Sequence, residues 1–168
     1  MIGATGVGKT SLVSRYVYSE FSGEYLTTIG VKIDRHRVRR GERLVDLMLW
    51  DLSGEDEFQS VQPAYLRGAA GYFLVIDGTR VETVDTGLLL EDRVRRAVGD
   101  VPFVVLLNKV DLVASWAMGP SDVAELQQRG WRIVETSAKT GVGVDAAFDL
   151  LVDAILSRAE GERWTLTR

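Results

Sequence analysis

The chain has 168 residues, 46% of them hydrophobic, with 20 lysines and arginines against 24 aspartates and glutamates for a net charge of -4. That length supports one sizeable core and one compact domain, and the mild acidity excludes the overall attraction by which basic proteins bind nucleic acid or anionic membrane nonspecifically. The absence of cysteine excludes disulfides, thiolate metal centres and lipid-modified thiols. No apolar run reaches the roughly 18 residues of a membrane span, so the expectation is a soluble, cytoplasmic protein with no lipid anchor on this chain.

In chain order, "GATGVGKT" (3–10) comes first, fitting the phosphate-cradling pattern G-x-x-x-x-G-K-[ST]. Gly3, Gly6 and Gly8 permit backbone conformations closed to other residues, so successive N–H groups converge on phosphate oxygens where the loop enters a helix. Lys9 reaches the terminal phosphates and Thr10 offers a hydroxyl to Mg²⁺. The helix is "SLVSRYVYSEF", beginning at Ser11, whereas the strand that such a loop requires has only Met1 and Ile2. "TIGVKIDRHRV" (28–38) and "LVDLMLW" (44–50), joined by "RRGER", predict an antiparallel hairpin at one sheet edge. Helical spacing follows in "EFQSVQPAYLRG". "GYFLVID" (71–77) and "VPFVVLLN" (101–108) are so continuously apolar that both faces should be covered. "ETVDTGLLLEDRVRRAV", "SDVAELQQRG" and "GVDAAFDLLVDAILSRA" read as helices and "WRIVETS" (131–137) as a further strand, with "GERWTLTR" a frayed tail. This alternation predicts an α/β fold with a mainly parallel sheet, one antiparallel edge strand and helices on both faces.

Two motifs sit where ligand loops of an open parallel sheet are found, at the carboxyl ends of strands. In "NKVD" (108–111), Asp111 can accept hydrogen bonds from the N1–H and amine of guanine, a donor pair adenine lacks. Asn108 can brace neighbouring loops and the stem of Lys109 can lie along the base. "SAK" (137–139) can turn backbone N–H groups toward the guanine carbonyl. In "WDLSGEDEF" (50–58), Asp51 suits a carboxylate holding Mg²⁺ through water, and the Gly54 N–H can meet a γ-phosphate. A second magnesium hydroxyl is expected from "YLTTIG" (25–30), at Thr28.

The ordered set "GATGVGKT", "TIG", "DLSGE", "NKVD" and "SAK" resembles the Ras/Rab-type small GTPases over residues 1–158, leaving 159–168 as a C-terminal tail. The resemblance implies a P-loop NTPase fold binding GTP or GDP with Mg²⁺. In it Gly3, Ala4, Thr5, Gly6, Val7, Gly8, Lys9, Thr10 and Ser11 surround the phosphates, and Phe21 stands edge-on to guanine. Thr28 senses the γ-phosphate, Asp51 and Gly54 begin the second switch, and Asn108, Lys109, Asp111, Ser137, Ala138 and Lys139 form the base site. Lys9, Thr28, Gly54 and Glu55 are the candidate catalytic residues, and Thr10, Thr28 and Asp51 the metal set. The resemblance further implies an effector that recognises the GTP state, an exchange factor and an activating protein.

Three departures stand out. Glu55 occupies the place of the family's water-orienting glutamine, implying slow hydrolysis or, alternatively, a nonhydrolysing adaptor. The tail lacks the usual lipid-accepting cysteine. Together with "DLSGED" this is similar to Rab-like GTPases of prokaryotes. The first strand is largely missing, which predicts a gap in the middle of the sheet and a chain read from a start inside that strand.

Other conspicuous residues carry plainer readings. Arg35, His36, Arg37, Arg39, Arg40 and Arg43 read as a solvated edge whose charges discourage strand aggregation. His36 lacks catalytic companions. Trp50, Trp116 and Trp131 read as core or boundary aromatics.

Overall fold

The structure, a computed structural model, describes residues 1–22, 31–52 and 63–166, excluding the side chains of 63, 64 and 162–166. Thr28, Gly54 and Glu55 therefore lie outside the described residues, as does the side chain of Trp164. The elements in order are α1 (Lys9–Tyr18), β1 (Val31–Arg40), β2 (Arg43–Leu52), α2 (Pro63–Leu66), β3 (Tyr72–Asp77), α3 (Glu82–Val98), β4 (Phe103–Asn108), a 3-10 turn (Val113–Ser115), α4 (Pro120–Gln128), β5 (Ile133–Thr136) and α5 (Val144–Leu166).

β3, β4 and β5 form a parallel sheet in that order, with Asp77 opposite Asn108 and Asn108 opposite Thr136. Every residue of β3 is buried, as its unbroken apolar run predicts for a strand covered on both faces. On one face Leu74, Ile76, Val105 and Leu107 pack with Leu90 and Val94 of α3 and Leu126 of α4. On the other, Phe73, Val75, Val104 and Leu106 pack with Leu12 of α1 and with Phe148 and Leu151 of α5. Each such side chain contributes roughly 1.5–3 kcal/mol on burial. Helix α3 buries Thr83, Gly87, Leu90, Glu91 and Val94, a single stripe at helical spacing. Its first turn carries Glu82 and Asp85 and its last Arg95 and Arg96, the signs that complement the helix dipole.

β1 and β2 form a separate antiparallel hairpin, with Arg40 paired to Arg43 across the Gly41–Glu42 turn. Among the described residues, the strands thus fall into two sheets, and the first residues of the chain lie between them. Ile2 bridges Leu74 in parallel register, donating to the Phe73 carbonyl at 3.0 Å and accepting from the Val75 amide at 2.8 Å. The Met1 ammonium donates to the Trp50 carbonyl of β2 at 2.6 Å. Met1 and Ile2 therefore supply the final step into the loop and touch both sheets.

The arginines of the hairpin are largely engaged within the chain. Arg35 and Arg37 both bond Asp46, holding its carboxyl below the usual range. Arg40 pairs with Asp149 and Asp153 of α5, and Arg43 with Glu160. His36 packs its ring 4.9 Å from Tyr16, which stacks on Phe148. The segment expected to fray departs from that expectation, because α5 continues to Leu166. "GERWTLTR" has no apolar stripe to announce a helix, but extending an existing helix avoids the unfavourable nucleation step.

Candidate functional site

The loop at residues 3–8 leaves the Ile2 bridge and ends at Gly8, which precedes α1 with φ 101° and offers the helix no side-chain cap. Glycine is required twice by space as well as by conformation. A Cβ on Gly3, where φ is 145°, would collide with the Val75 carbonyl, and one on Gly8 would collide with the Asn108 amide nitrogen. Lys9 is buried and folds its Nζ over the loop, donating to the carbonyls of Gly3 at 2.5 Å and Ala4 at 3.1 Å. These bonds hold the Gly3 and Ala4 carbonyls toward the lysine at the N-terminus of α1, the place in a fold where backbone N–H groups favour anions.

Asn108 is the hub between loops. Its Nδ2 donates to the Val7 carbonyl at 2.8 Å, and its Oδ1 accepts from the Ala138 amide at 3.2 Å and the Thr136 hydroxyl at 3.3 Å. The last residue of β4 thereby holds the phosphate loop and the 137–139 turn together. Asp111 accepts the Ser137 hydroxyl at 2.6 Å, with the Lys139 ammonium 4.0 Å away. Phe21 is 39% exposed beyond the end of α1, and Thr10 and Ser11 lie in its first turn.

Thr10 also reaches β2, its hydroxyl donating to Asp51 Oδ2 at 2.5 Å. Asp51 is fully buried, and its Oδ1 has no hydrogen-bond partner among the described residues. A buried carboxylate oxygen left without a donor is costly, and a carboxylate beside a hydroxyl is the hard-oxygen donor pair that Mg²⁺ takes when phosphates and water complete its shell. The residues present fit that ion. Among the described residues, no three His, Asp or Glu side chains gather as an all-protein metal cage.

Three residues that brace these loops escape sequence reasoning. Asp77, at the end of β3, is fully buried and accepts from the Lys109 ammonium at 2.6 Å, Arg80 Nε at 2.9 Å, and the Thr79 amide and hydroxyl at 3.0 and 2.7 Å. Burial pushes its pKa up, but these hydrogen bonds prevail and hold it below the usual carboxylate value. Arg80 continues to the phosphate loop, donating from Nη2 to the Thr5 carbonyl at 2.8 Å. Arg15, from α1, donates to the carbonyls of Ala138 at 2.8 Å and Lys139 at 2.5 Å, tying α1 to the 137–139 turn. The one available signal was a lone carboxylate ending the otherwise apolar "YFLVI" run; Arg80 and Arg15 act across sequence distances that no local pattern reveals.

A glycine-rich strand–helix turn with its lysine inside, a Thr–Asp oxygen pair at its mouth and an Asn-braced loop beside it define a P-loop NTPase. The Ras family profile matches residues 1–157, and the chain belongs to the Ras family. It is 37% identical to the Ypt/Rab-type GTPase avaA of Emericella nidulans, over 98% of this chain and 84% of that protein. It is 34% identical to the GTP-binding protein yptV2 of Volvox carteri, over 96% of this chain and 76% of the relative. To the Ras-related protein Rab-2B of Dictyostelium discoideum it is 33% identical, over 95% and 80%.

Proposed function

We propose that this protein is a cytoplasmic guanine-nucleotide switch that binds GTP or GDP with Mg²⁺, hydrolyses GTP slowly, and presents a GTP-dependent surface to an effector. The observation that carries the reading is the Asn108 hub: one buried amide bonds both Val7 of the phosphate loop and Ala138 of the base loop, as a ligand bound at both its ends would require. Asp111 and the 137–139 turn select guanine, and Lys9 with the loop amides takes the phosphates. Thr10 and Asp51, joined by Thr28 in the GTP state, hold the metal. When bound, Mg²⁺ neutralises charge on the terminal phosphates. Thr28, Gly54 and Glu55 belong to segments whose order follows the γ-phosphate.

An effector has an exposed surface to read. Ile33, Met48 and Trp50 share one face of the hairpin, and Tyr65 lies 6.1 Å from Trp50 ring to ring. An exchange factor and an activating protein would set the timing, as the family implies.

Single-turnover hydrolysis of GTP, with binding of fluorescent GDP and ADP measured alongside, tests the reading. The expected result is guanine preference with slow turnover. Equal affinity for adenine and guanine nucleotides would overturn the base assignment. The second reading, a nonhydrolysing adaptor, is favoured by Glu55: a carboxylate brings negative charge toward the transition state and lacks the amide donor of a glutamine. Glu55→Gln should then accelerate hydrolysis, and a large loss of rate would show that Glu55 positions the water itself.

A further inference from the structure

Arg80 lies outside every motif of the nucleotide site, yet its guanidinium spans two of that site's parts. Nε donates to Asp77 Oδ2 at 2.9 Å, and Nη2 donates to the Thr5 carbonyl at 2.8 Å. The same Asp77 oxygen accepts the Lys109 ammonium at 2.6 Å. Lys109 holds a left-handed backbone, φ 74°, a conformation that a non-glycine residue keeps only when its surroundings enforce it. The backbone is pinned on both sides of this bridge: Arg80 donates its own amide to the Asp77 carbonyl at 2.9 Å, and its carbonyl accepts the Thr83 hydroxyl at 2.7 Å. From this geometry we infer that Arg80 is a positioning residue, which couples the phosphate loop to the base loop through the shared Asp77 carboxylate and so slows nucleotide release.

Two physical effects produce the coupling. The carbonyl of Thr5 and the N–H of Gly6 belong to one peptide, so a charged donor on that carbonyl polarises the group and strengthens the N–H as a donor to phosphate. The planar fork of an arginine fixes two acceptors at once, which an ammonium on a flexible stem cannot do. A base contact that steadies Lys109 therefore steadies Asp77, Arg80 and Thr5 in turn.

The inference rests on the guanine-nucleotide reading, and the test separates the two. The whole chain is loaded with fluorescent GDP or fluorescent inosine diphosphate, which lacks the exocyclic amine, and release is followed in excess unlabelled nucleotide and Mg²⁺. Arg80→Ala should release GDP at least about tenfold faster, as for loss of a charge-assisted hydrogen bond, and the inosine nucleotide by a smaller factor. The ratio of the two release rates should narrow by about threefold or more, the non-additivity that marks coupled sites. Arg80→Lys, which keeps the charge but not the fork, should resemble Arg80→Ala, and it carries the test alone should the alanine variant not fold by circular dichroism. Unchanged release, equal acceleration of both nucleotides, or full restoration by lysine would overturn the coupling while leaving the switch assignment intact. Failure of the parent chain to bind either nucleotide would overturn the guanine-nucleotide reading and this inference with it.

Discussion

Asp111 commits one carboxylate oxygen to the Ser137 hydroxyl at 2.6 Å, which fixes the plane of the carboxylate and aims what remains of its acceptor capacity. Asp111→Asn introduces an amide donor toward the two donors of guanine, so a charged hydrogen bond worth about 1.5–3 kcal/mol is lost and a clash gained. GDP affinity should fall at least tenfold by calorimetry; an unchanged affinity would remove Asp111 from the base site. Asp111, Asn108 and Lys9 were legible in the sequence because their chemistry sits within four to eight contiguous residues. Asp77, Arg80 and Arg15 were not, because each works by reaching an acceptor or donor on a distant element, Arg15 to Lys139 and Arg80 to Thr5. A residue type alone cannot announce such a partner.

Between elements, one tight constraint is where the start of α1 meets the end of β4. A side chain at Gly8 would occupy the place of the Asn108 amide nitrogen, and Asn108 cannot retreat without releasing Val7, Thr136 and Ala138 together. Gly8→Ala should therefore abolish GDP binding. Gly41→Ala, in the hairpin turn at φ 57° with open space around it, should cost only about 1 kcal/mol of stability, the strain of a left-handed alanine. An unchanged GDP affinity in Gly8→Ala would show that the Asn108 contact does not constrain the loop. The elements themselves followed from the sequence where burial is two-sided, as in β3 and β4, whose apolar runs admit no other packing. The end of α5 did not, since Arg43 anchors it through Glu160, a contact set by tertiary arrangement and not by local periodicity.

For the whole molecule, acid is the informative variable. The folded Asp77 carboxyl titrates below its usual value, so its contribution to stability is fully present above the unfolded carboxylate range, near pH 4, and is lost as pH falls through the lowered folded value. Asp77→Asn should cost stability at pH 7, toward the low end of the roughly 3–5 kcal/mol typical of a broken buried pair, since Arg80 and Lys109 are themselves partly exposed. Parent and variant midpoints in urea should then converge as pH drops below about 4; a constant gap would mean that the carboxylate's charge is immaterial. The Ile2 bridge has its own consequence, visible one amide at a time. Along β3, the Tyr72 amide bonds Pro102 and the Val75 amide bonds Ile2, while Leu74 and Ile76 point into the ladder with β4. The Val75 amide is thus guarded by the first residues of the loop, and those of Leu74 and Ile76 by a whole neighbouring strand. Ile2→Ala, which removes apolar contact from the bridge, should therefore hasten deuterium replacement at Val75 while leaving Leu74 and Ile76 slow. Site-resolved exchange by NMR would show it, and equal acceleration at all three would mean that β3 opens only together with β4.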